Sequence, residues 1–233
     1  MLMRNTVSLL FGVLSALSLV EARQAPAASR DISGFWELGF DSRRIPVATL
    51  VPGITPAVRA ERARKDAQAI RWCNMVGLPF LMDSGRPLDI RQGSGIITIV
   101  SEHYTAPRYL YLNRAQHVSE EIFDPTTTGD SIARWEGDTL VVDTVGFHPD
   151  RGITGIPGGG FRTASSHLVE RYRLLENGSV LSVAFAWTDP KVFQAPHTYE
   201  FRYHRLPADY EPRLWLPCDP YNEVRAKFLE EGR

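Results

Sequence analysis

The pattern of apolar and polar residues between about positions 87 and 205 is that of one β-strand after another. Runs rich in β-branched and aromatic residues alternate with short turn sequences, of which Gly93-Ser-Gly95, Gly137-Asp138 and Glu176-Asn177-Gly178 are the clearest. No regular alternation of strands with helical segments accompanies them, which argues against a doubly wound parallel sheet. The pattern therefore predicts about nine antiparallel strands in sequential hairpins.

One helix is predicted before most of the strands. Thr55-Pro56 supplies an N-cap followed by a proline at the first helical position, and the Ala- and Arg-rich sequence after it suits a surface helix at about 56–72. A second, short helix is predicted near the C-terminus, from Asn222 to Glu231. The first strand begins at Gly34-Phe35-Trp36, and the others are predicted at Leu88–Gln92, Ile96–His103, Arg108–Leu112, Ser131–Glu136, Thr139–Phe147, His167–Leu174, Val180–Trp187 and His197–Arg205.

Together these elements predict an all-β fold, an antiparallel up-and-down β-barrel of residues 31–210 followed by a tail of residues 211–233. A chain of 233 residues is long enough for one sizeable core and too short for two comfortable domains. Barrels of roughly this size can enclose one small ligand.

The N-terminal residues are predicted to be an export signal. Arg4 precedes an apolar run that is shorter than the roughly 20 residues of a membrane span, and Val20-Glu-Ala22 fits a cleavage site. We interpret residues 1–22 as a signal peptide and 23–30 as a Pro/Ala linker, with an uncleaved N-terminal anchor as the alternative. The predicted location is therefore periplasmic or secreted, with no stable membrane insertion after cleavage.

Charge and cysteine content exclude some partners and leave others open. The net charge of −1 argues against nucleic acid, because phosphate binding needs a basic surplus. Cys73 and Cys218 would form one disulfide in an oxidising compartment, or remain two separate buried thiols. The six histidines form no His-x-His or His-x-x-x-His pair, so no metal ligand is predicted, although a site assembled through space stays open.

The hairpin of residues 129–147 gives the first functional lead. Arg134 shares a strand phase with Ile132, and Asp143 shares one with Val141. If these apolar residues point inward, the hairpin places a cation and a carboxylate in a largely apolar interior, where charges are costly unless paired or used. Apolar residues occupy both phases here, so the register stays open by one residue, and a slip would move each candidate to the other face.

The same reasoning applies to charged residues on the other strands. Glu102, Arg108 and Glu170 each share a phase with apolar or aromatic neighbours, and alternate positions of every strand face a barrel interior. We therefore predict that these three converge with Arg134 and Asp143 as catalytic residues; the alternative is a set of buried salt bridges that fixes the barrel. The predicted substrate-binding residues are Tyr104, Tyr109, Tyr111, Tyr172, His167, His197 and Tyr199. For the tyrosines the alternative is core packing.

Gly34-Phe35-Trp36 resembles the Gly-x-Trp signature on the first strand of lipocalins and the wider calycin group. This resemblance implies a lipocalin-like barrel in which the tryptophan plugs the closed end and a basic residue of the last strand packs over it. Arg202 or Arg205 would take that part in this chain.

Most of the mature chain is also similar to a large family of secreted bacterial proteins with no activity assigned to it. The shared features are the stretch from Trp135 to Phe147, a Cys-containing segment near Gly77-Leu-Pro79, and the strand Val169-Glu-Arg171. This chain has Asp130 where that family is expected to have a histidine. The resemblance implies fold and compartment more than chemistry.

We predict a cofactor-independent lyase or isomerase acting on a carbon–carbon or carbon–oxygen bond of a bulky aromatic small molecule. A lignin-derived phenolic compound is the narrower expectation, which rests on a loose association with cofactor-free lyases and on no motif. A carboxyl group in an apolar pocket has a raised pKa, so Glu102 or Glu170 would be the acid or base. Arg108 or Arg134 and one tyrosine would stabilise negative charge, and the glycine-rich loop 152–160 would be a lid.

Two other functions stay open. One is a periplasmic carrier or binding protein for a hydrophobic ligand, which carboxylates tied up entirely by arginines would favour. The other is a structural or interaction protein, which an interior filled by Phe, Leu and Trp would favour. The expected partner is a hydrophobic or aromatic small molecule, with no cofactor, and a homodimer is left open.

Overall fold

The computed structural model describes residues 30–40, 45–71, 76–103, 105–119 and 121–212. The predicted signal peptide, nearly all of the linker and the predicted C-terminal helix lie outside the described residues. Cys73, Cys218 and Tyr104 lie outside them as well.

Nine strands form a closed barrel, so the predicted all-β barrel is confirmed. Each strand pairs with its neighbours in sequence, and β1 pairs with β9 to close the wall. The strands are β1 (Gly34–Leu38), β2 (Leu88–Gln92), β3 (Ile96–Ser101), β4 (Arg108–Tyr111), β5 (Asp130–Glu136), β6 (Thr139–Val145), β7 (His167–Leu175), β8 (Val180–Thr188) and β9 (His197–Arg205).

The predicted surface helix is present as α1 (Pro56–Arg71). Its N-cap is the predicted one, because the Thr55 hydroxyl accepts a hydrogen bond from the Val58 amide at 3.3 Å. A one-turn helix, α2 (Phe80–Asp83), was not predicted, since four residues carry too little periodicity to be recognised.

One strand pair departs from the predicted antiparallel arrangement. β4 and β5 run parallel, with Leu110 opposite Ser131 and Tyr111 opposite Ile132. A closed barrel in which sequential strands alternate in direction needs an even number of strands, so a barrel of nine must contain one parallel pair. The connection between β4 and β5, residues 112–129, therefore has to return along the barrel before β5 begins. We call it the crossing segment.

The barrel interior is a packed aromatic and aliphatic core. Phe185 of β8 stacks on Tyr199 of β9 with ring centroids 4.9 Å apart, and Phe201 lies 5.3 Å from Phe185. Trp36 and Trp187 are fully buried in the same core. Such packing of large side chains fills a small barrel rather than enclosing an open space.

Trp36 closes one end of the barrel beneath a basic residue, as the lipocalin resemblance predicts. The guanidinium of Arg205 lies 4.1 Å from the Trp36 ring centre and donates to the Ser33 carbonyl at 2.8 Å. A Cβ at Gly34 would stand 2.3 Å from Arg205 Nη1, which explains the glycine of the signature. Arg202 does not take this part, because it pairs with Glu200 on the outer surface.

The glycine-rich loop covers the opposite end, near the start of β9. His197 is buried, and its Nε2 lies 2.6 Å from the Pro157 carbonyl oxygen. A Cβ at Gly158 would stand 2.2 Å from the Pro46 carbonyl oxygen. The loop thus lies where a lid would, and its opening stays a prediction.

Candidate functional site

Two of the predicted catalytic residues meet in the barrel interior. Arg108 of β4 and Glu170 of β7 form a bidentate ion pair, with Arg108 Nη1 2.8 Å from Glu170 Oε1 and a second contact from Nη2 to Oε2. Tyr172 donates its hydroxyl to Glu170 at 2.8 Å, and Thr144 accepts from Arg108 at 3.0 Å. Arg108 and Glu170 are 1% and 0% exposed, so substrate has no access to the pair as it stands.

The electrostatics of this network suit a structural ion pair. Burial alone would lower the pKa of Arg108, but the charge of Glu170 and the hydrogen bonds outweigh it, and the net pKa is raised. Burial, followed by the charge of Glu170, raises the pKa of Tyr172 well above its usual range. The raised pKa values keep Arg108 charged and Tyr172 neutral, and the bidentate contact with Glu170 matches the salt-bridge alternative.

The predicted convergence of all five charged residues is wrong for the other three. Arg134 lies on the outer face and pairs with Glu136 at 2.6 Å. Asp143 also lies on the outer face, and Glu102 lies beyond the end of β3, where it accepts a bond from Tyr210. β5 and β6 face Ser131 and Thr144 inward, one residue away from the phase of Ile132 and Val141 on which the prediction was based.

The predicted substrate-binding residues divide between interior and exterior. Tyr172, Tyr199 and His197 face the interior, where the Tyr199 hydroxyl accepts from Trp187 at 3.1 Å. His167 lies on the outer face of β7. Since Arg108 points inward, alternation along β4 turns its neighbours Tyr109 and Tyr111 outward. The predicted tyrosines therefore do not line one interior pocket. Whether each predicted residue binds a substrate stays a prediction.

Tyr109 and Tyr111 instead line a groove of about 690 Å³ on the outer wall. The groove runs between β4, the end of the crossing segment and the loop after β6, residues 146–166. Its other lining residues are 106–107, 123–130 and 151–152. Part of its wall is set by close packing, because a Cβ at Gly146 would stand 2.5 Å from the Phe123 ring. The groove thus combines exposed aromatic and charged groups.

A chain of polar contacts fixes the crossing segment to the outer wall beside the groove. His117 Nδ1 lies 2.9 Å from Asp130 Oδ2, and its Nε2 lies 2.9 Å from Asp143 Oδ1. His167 Nε2 is 3.0 Å from the same Asp143 oxygen. Arg114 completes the chain: its guanidinium pairs with Asp130 and stands 3.8 Å from the ring centre of Tyr111. Asp130 thus belongs both to this chain and to the groove.

Both carboxylates of the chain are stabilised in their ionised form. Burial acts to raise the pKa of Asp130, but hydrogen bonds from Arg114, His117 and the Val118 amide lower it overall. The pKa of Asp143 is likewise lowered, since hydrogen bonds from His117 and His167 outweigh its burial. Each nitrogen of His117 therefore faces an ionised carboxylate, Asp130 on one side and Asp143 on the other.

The loop after β6 brings positive charge to the groove. Arg162 is buried and donates to the carbonyl oxygens of Leu78, at 2.8 Å, and of His148 and Arg151. Burial lowers the pKa of Arg162 to about 10. The side chain of Arg151 is exposed at the groove and has no ion-pair or hydrogen-bond partner among the described residues.

Sequence reasoning missed the residues that build this groove from the crossing segment. Arg114, His117 and Phe123 belong to a stretch without strand or helix periodicity, and Asp130 stood out only as a departure from a family pattern. The signal that could have found His117 is its place among polar residues between two strands, which is weak.

The described residues contain neither a cluster of metal ligands nor a helix that could span a membrane. No group of three or more His, Cys, Asp or Glu side chains there is arranged to hold a metal ion. No helix in the described part of the chain is long and apolar enough to cross a membrane.

No protein-family model matches this chain, and no curated protein matches it in sequence. Among solved structures it is similar to the fluorescent protein UnaG, with a TM-score of 0.33 and 12% identity over 75% of this chain and 96% of UnaG. One point variant of UnaG gives the same values, and another gives a TM-score of 0.32 with 10% identity over 74% of this chain and 94% of that one. The likeness is remote.

Proposed function

We propose that the protein binds a hydrophobic aromatic small molecule in the outer groove. The observation that carries this proposal is the groove itself, whose volume of about 690 Å³ lies within the range of small-molecule pockets and whose wall includes Tyr109, Tyr111 and Phe123. The interior is a poorer candidate, because aromatic side chains fill it and the buried charges of Arg108 and Glu170 satisfy each other.

The two tyrosines are suited to contact a ligand. Tyr109 is 46% exposed although it is a large aromatic residue. No described residue forms a hydrogen bond with the hydroxyl of Tyr109 or Tyr111, so both hydroxyls are available beside ring faces that an aromatic compound can cover. A phenolic ligand would use both properties.

The groove is also held in shape before any ligand arrives. Arg114 braces Tyr111 from one side, and Gly146 allows Phe123 to pack closely. Preorganised walls reduce the entropy lost on binding, which supports a binding function for this surface. The protein would then be a binding or carrier protein, and the periplasmic or secreted location predicted from residues 1–22 would fit that role.

A second candidate function is a lyase or isomerase that works by acid–base chemistry in the same groove. The observation that favours it is Asp130, which lines the groove and is bonded to His117 in an aspartate–histidine chain. Because the pKa of Asp130 is lowered, its carboxylate is a weak base, which limits this function to substrates whose proton is far more acidic than that of a phenol. This proposal moves the predicted chemistry from the barrel interior to its outer wall and needs no cofactor.

One experiment tests both candidates. The full chain is titrated with guaiacol, vanillin and methyl para-hydroxycinnamate, with binding followed by calorimetry and recovered compound by mass spectrometry. We expect binding that weakens at least about fivefold when Tyr109 and Tyr111 are both changed to alanine. The matched control is Tyr210→Phe, which alters a tyrosine outside the groove.

The outcomes separate the two functions. Binding with unchanged compound supports the carrier, whereas a product that disappears in Asp130→Asn supports the lyase or isomerase. No binding of any compound, or binding that the double alanine variant does not weaken, would overturn the proposal.

A further inference from the structure

The groove has one positively charged side chain without a partner. Arg151 lies in the loop after β6 and its side chain is exposed. No carboxylate of the described residues lies within ion-pair distance of it. Its neighbour Asp150 is already bound, since it pairs with Arg62 at 3.0 Å. The charge of Arg151 is therefore not compensated by the loop that carries it.

A second arginine reinforces this charge from inside. Arg162 donates to the backbone oxygens of Leu78, His148 and Arg151, and none of these acceptors is a carboxylate. The charges of both arginines act on His148. Burial lowers the pKa of His148, and the charges of Arg151 and Arg162 lower it further. The Arg151 end of the groove is thus a region of positive potential that favours an anion.

The other charged residues of the groove do not cancel this potential. Asp130 is paired with Arg114 and His117. Asp124 is exposed and has no cationic partner among the described residues. Asp124 makes a cationic ligand the competing interpretation.

We infer that the natural ligand is an aromatic carboxylic acid whose carboxylate pairs with Arg151 while its ring lies against Tyr109 and Tyr111. This inference rests on the proposed binding function and adds the chemical group that the groove recognises. An arginine fork fits a planar carboxylate with two parallel hydrogen bonds, which a neutral ester cannot reproduce.

Three probes with the same phenolic ring test the inference: para-hydroxycinnamate, its methyl ester, and tyramine, which carries an ammonium group instead. Dissociation constants are measured for the full chain by calorimetry at low and at high salt. We expect the acid to bind about threefold to tenfold more tightly than the ester at low salt, with tyramine weakest, and the preference to shrink at high salt.

Variants locate the effect. Arg151→Gln should bring the affinity for the acid down to that for the ester and remove the salt dependence of the difference between them. Arg59→Gln is the matched control, because Arg59 is an exposed arginine of α1 outside the groove, and it should keep the preference for the acid.

Each outcome has one meaning. Equal binding of acid and ester, a preference for tyramine, or an acid preference that survives Arg151→Gln would overturn the carboxylate inference while leaving groove binding in place. Failure of all three probes to bind would remove the proposed binding function, and the inference with it.

Discussion

His117 and Asp143 are joined across the outer wall of the barrel, with His117 Nε2 2.9 Å from Asp143 Oδ1. The first residue belongs to the crossing segment and the second to β6, so this contact fixes a connection to a strand. The other nitrogen of His117 contacts Asp130 at the start of β5. One imidazole therefore holds the crossing segment, which forms part of the groove, against two adjacent strands.

Removing this bridge should loosen the groove more than the barrel. His117→Gln can keep at most part of the two contacts, and we expect a loss of about 1 kcal/mol or less in the free energy of unfolding, because the residues are partly exposed. The affinity for a phenolic probe should fall by a larger factor than this loss implies. Urea unfolding and calorimetry measure the two effects, with His204→Gln, on the outer face of β9, as the control. Equal affinity in His117→Gln would show that the bridge does not shape the groove.

Acid should weaken the same region. The pKa values of Asp130 and Asp143 are lowered in the folded protein from their usual value of 3.8. Their stabilising contribution is therefore complete above pH 3.8 and is lost as the pH falls through the lower folded-state values. Unfolding free energies measured from neutral pH into acid should decline over this window.

Variants identify the groups responsible for the acid dependence. The decline should be shallower in Asp130→Asn and Asp143→Asn than in the unmodified chain. Asp124→Asn is the control, because Asp124 has no charged partner among the described residues. A decline that the two first variants leave unchanged would assign it to other carboxylates.

The interior ion pair should prove structural. Glu170→Gln leaves the charge of Arg108 buried without a carboxylate, and the expected cost is roughly 3–5 kcal/mol of unfolding free energy. Replacing both residues by methionine should cost much less, because no buried charge is then left unpaired. Urea unfolding of the two variants checks this. If Glu170→Gln kept full stability and abolished turnover of an aromatic substrate, the predicted catalytic role of Glu170 would be correct after all.

The glycine-rich loop should tolerate a side chain at one position and not at another. Gly158 has φ +84°, and a Cβ there would meet the Pro46 carbonyl oxygen at 2.2 Å and His197 at 2.8 Å. Gly159 also has a positive φ, of +111°, but a Cβ there meets nothing within 4 Å. Gly158→Ala should therefore destabilise the protein more than Gly159→Ala, with the backbone strain of about 1 kcal/mol common to both. Similar melting temperatures for the two would mean that the loop does not press on the barrel end.

The sequence was sufficient to predict the strands, their order and the two residues that meet in the interior. Arg108 shares a strand phase with Leu110, and Glu170 shares one with Leu168 and Tyr172, so both were predicted to lie inside. The signature on β1 predicted Arg202 or Arg205 over Trp36, and the structure places Arg205 there.

The outer site could not be predicted in the same way. β6 has buried residues on both faces, with Val141 3% exposed on the outer one, so its apolar residues could not show which face is inside. The error reversed Arg134 and Asp143 together, as a slip of one residue must. The groove depends on a parallel strand pair and on an irregular connection, and neither leaves a periodic pattern in the sequence.

The parallel pair also creates a short joint in the barrel wall, between β4 and β5. β4 and β5 meet only through Leu110 opposite Ser131 and Tyr111 opposite Ile132, while the neighbouring strands are paired along longer antiparallel ladders. We expect this joint to open first in hydrogen exchange. A molecule in the groove would touch Tyr111 on one side of the joint and Asp130 on the other. A bound ligand would then connect the two strands and slow the local opening of the barrel between β4 and β5.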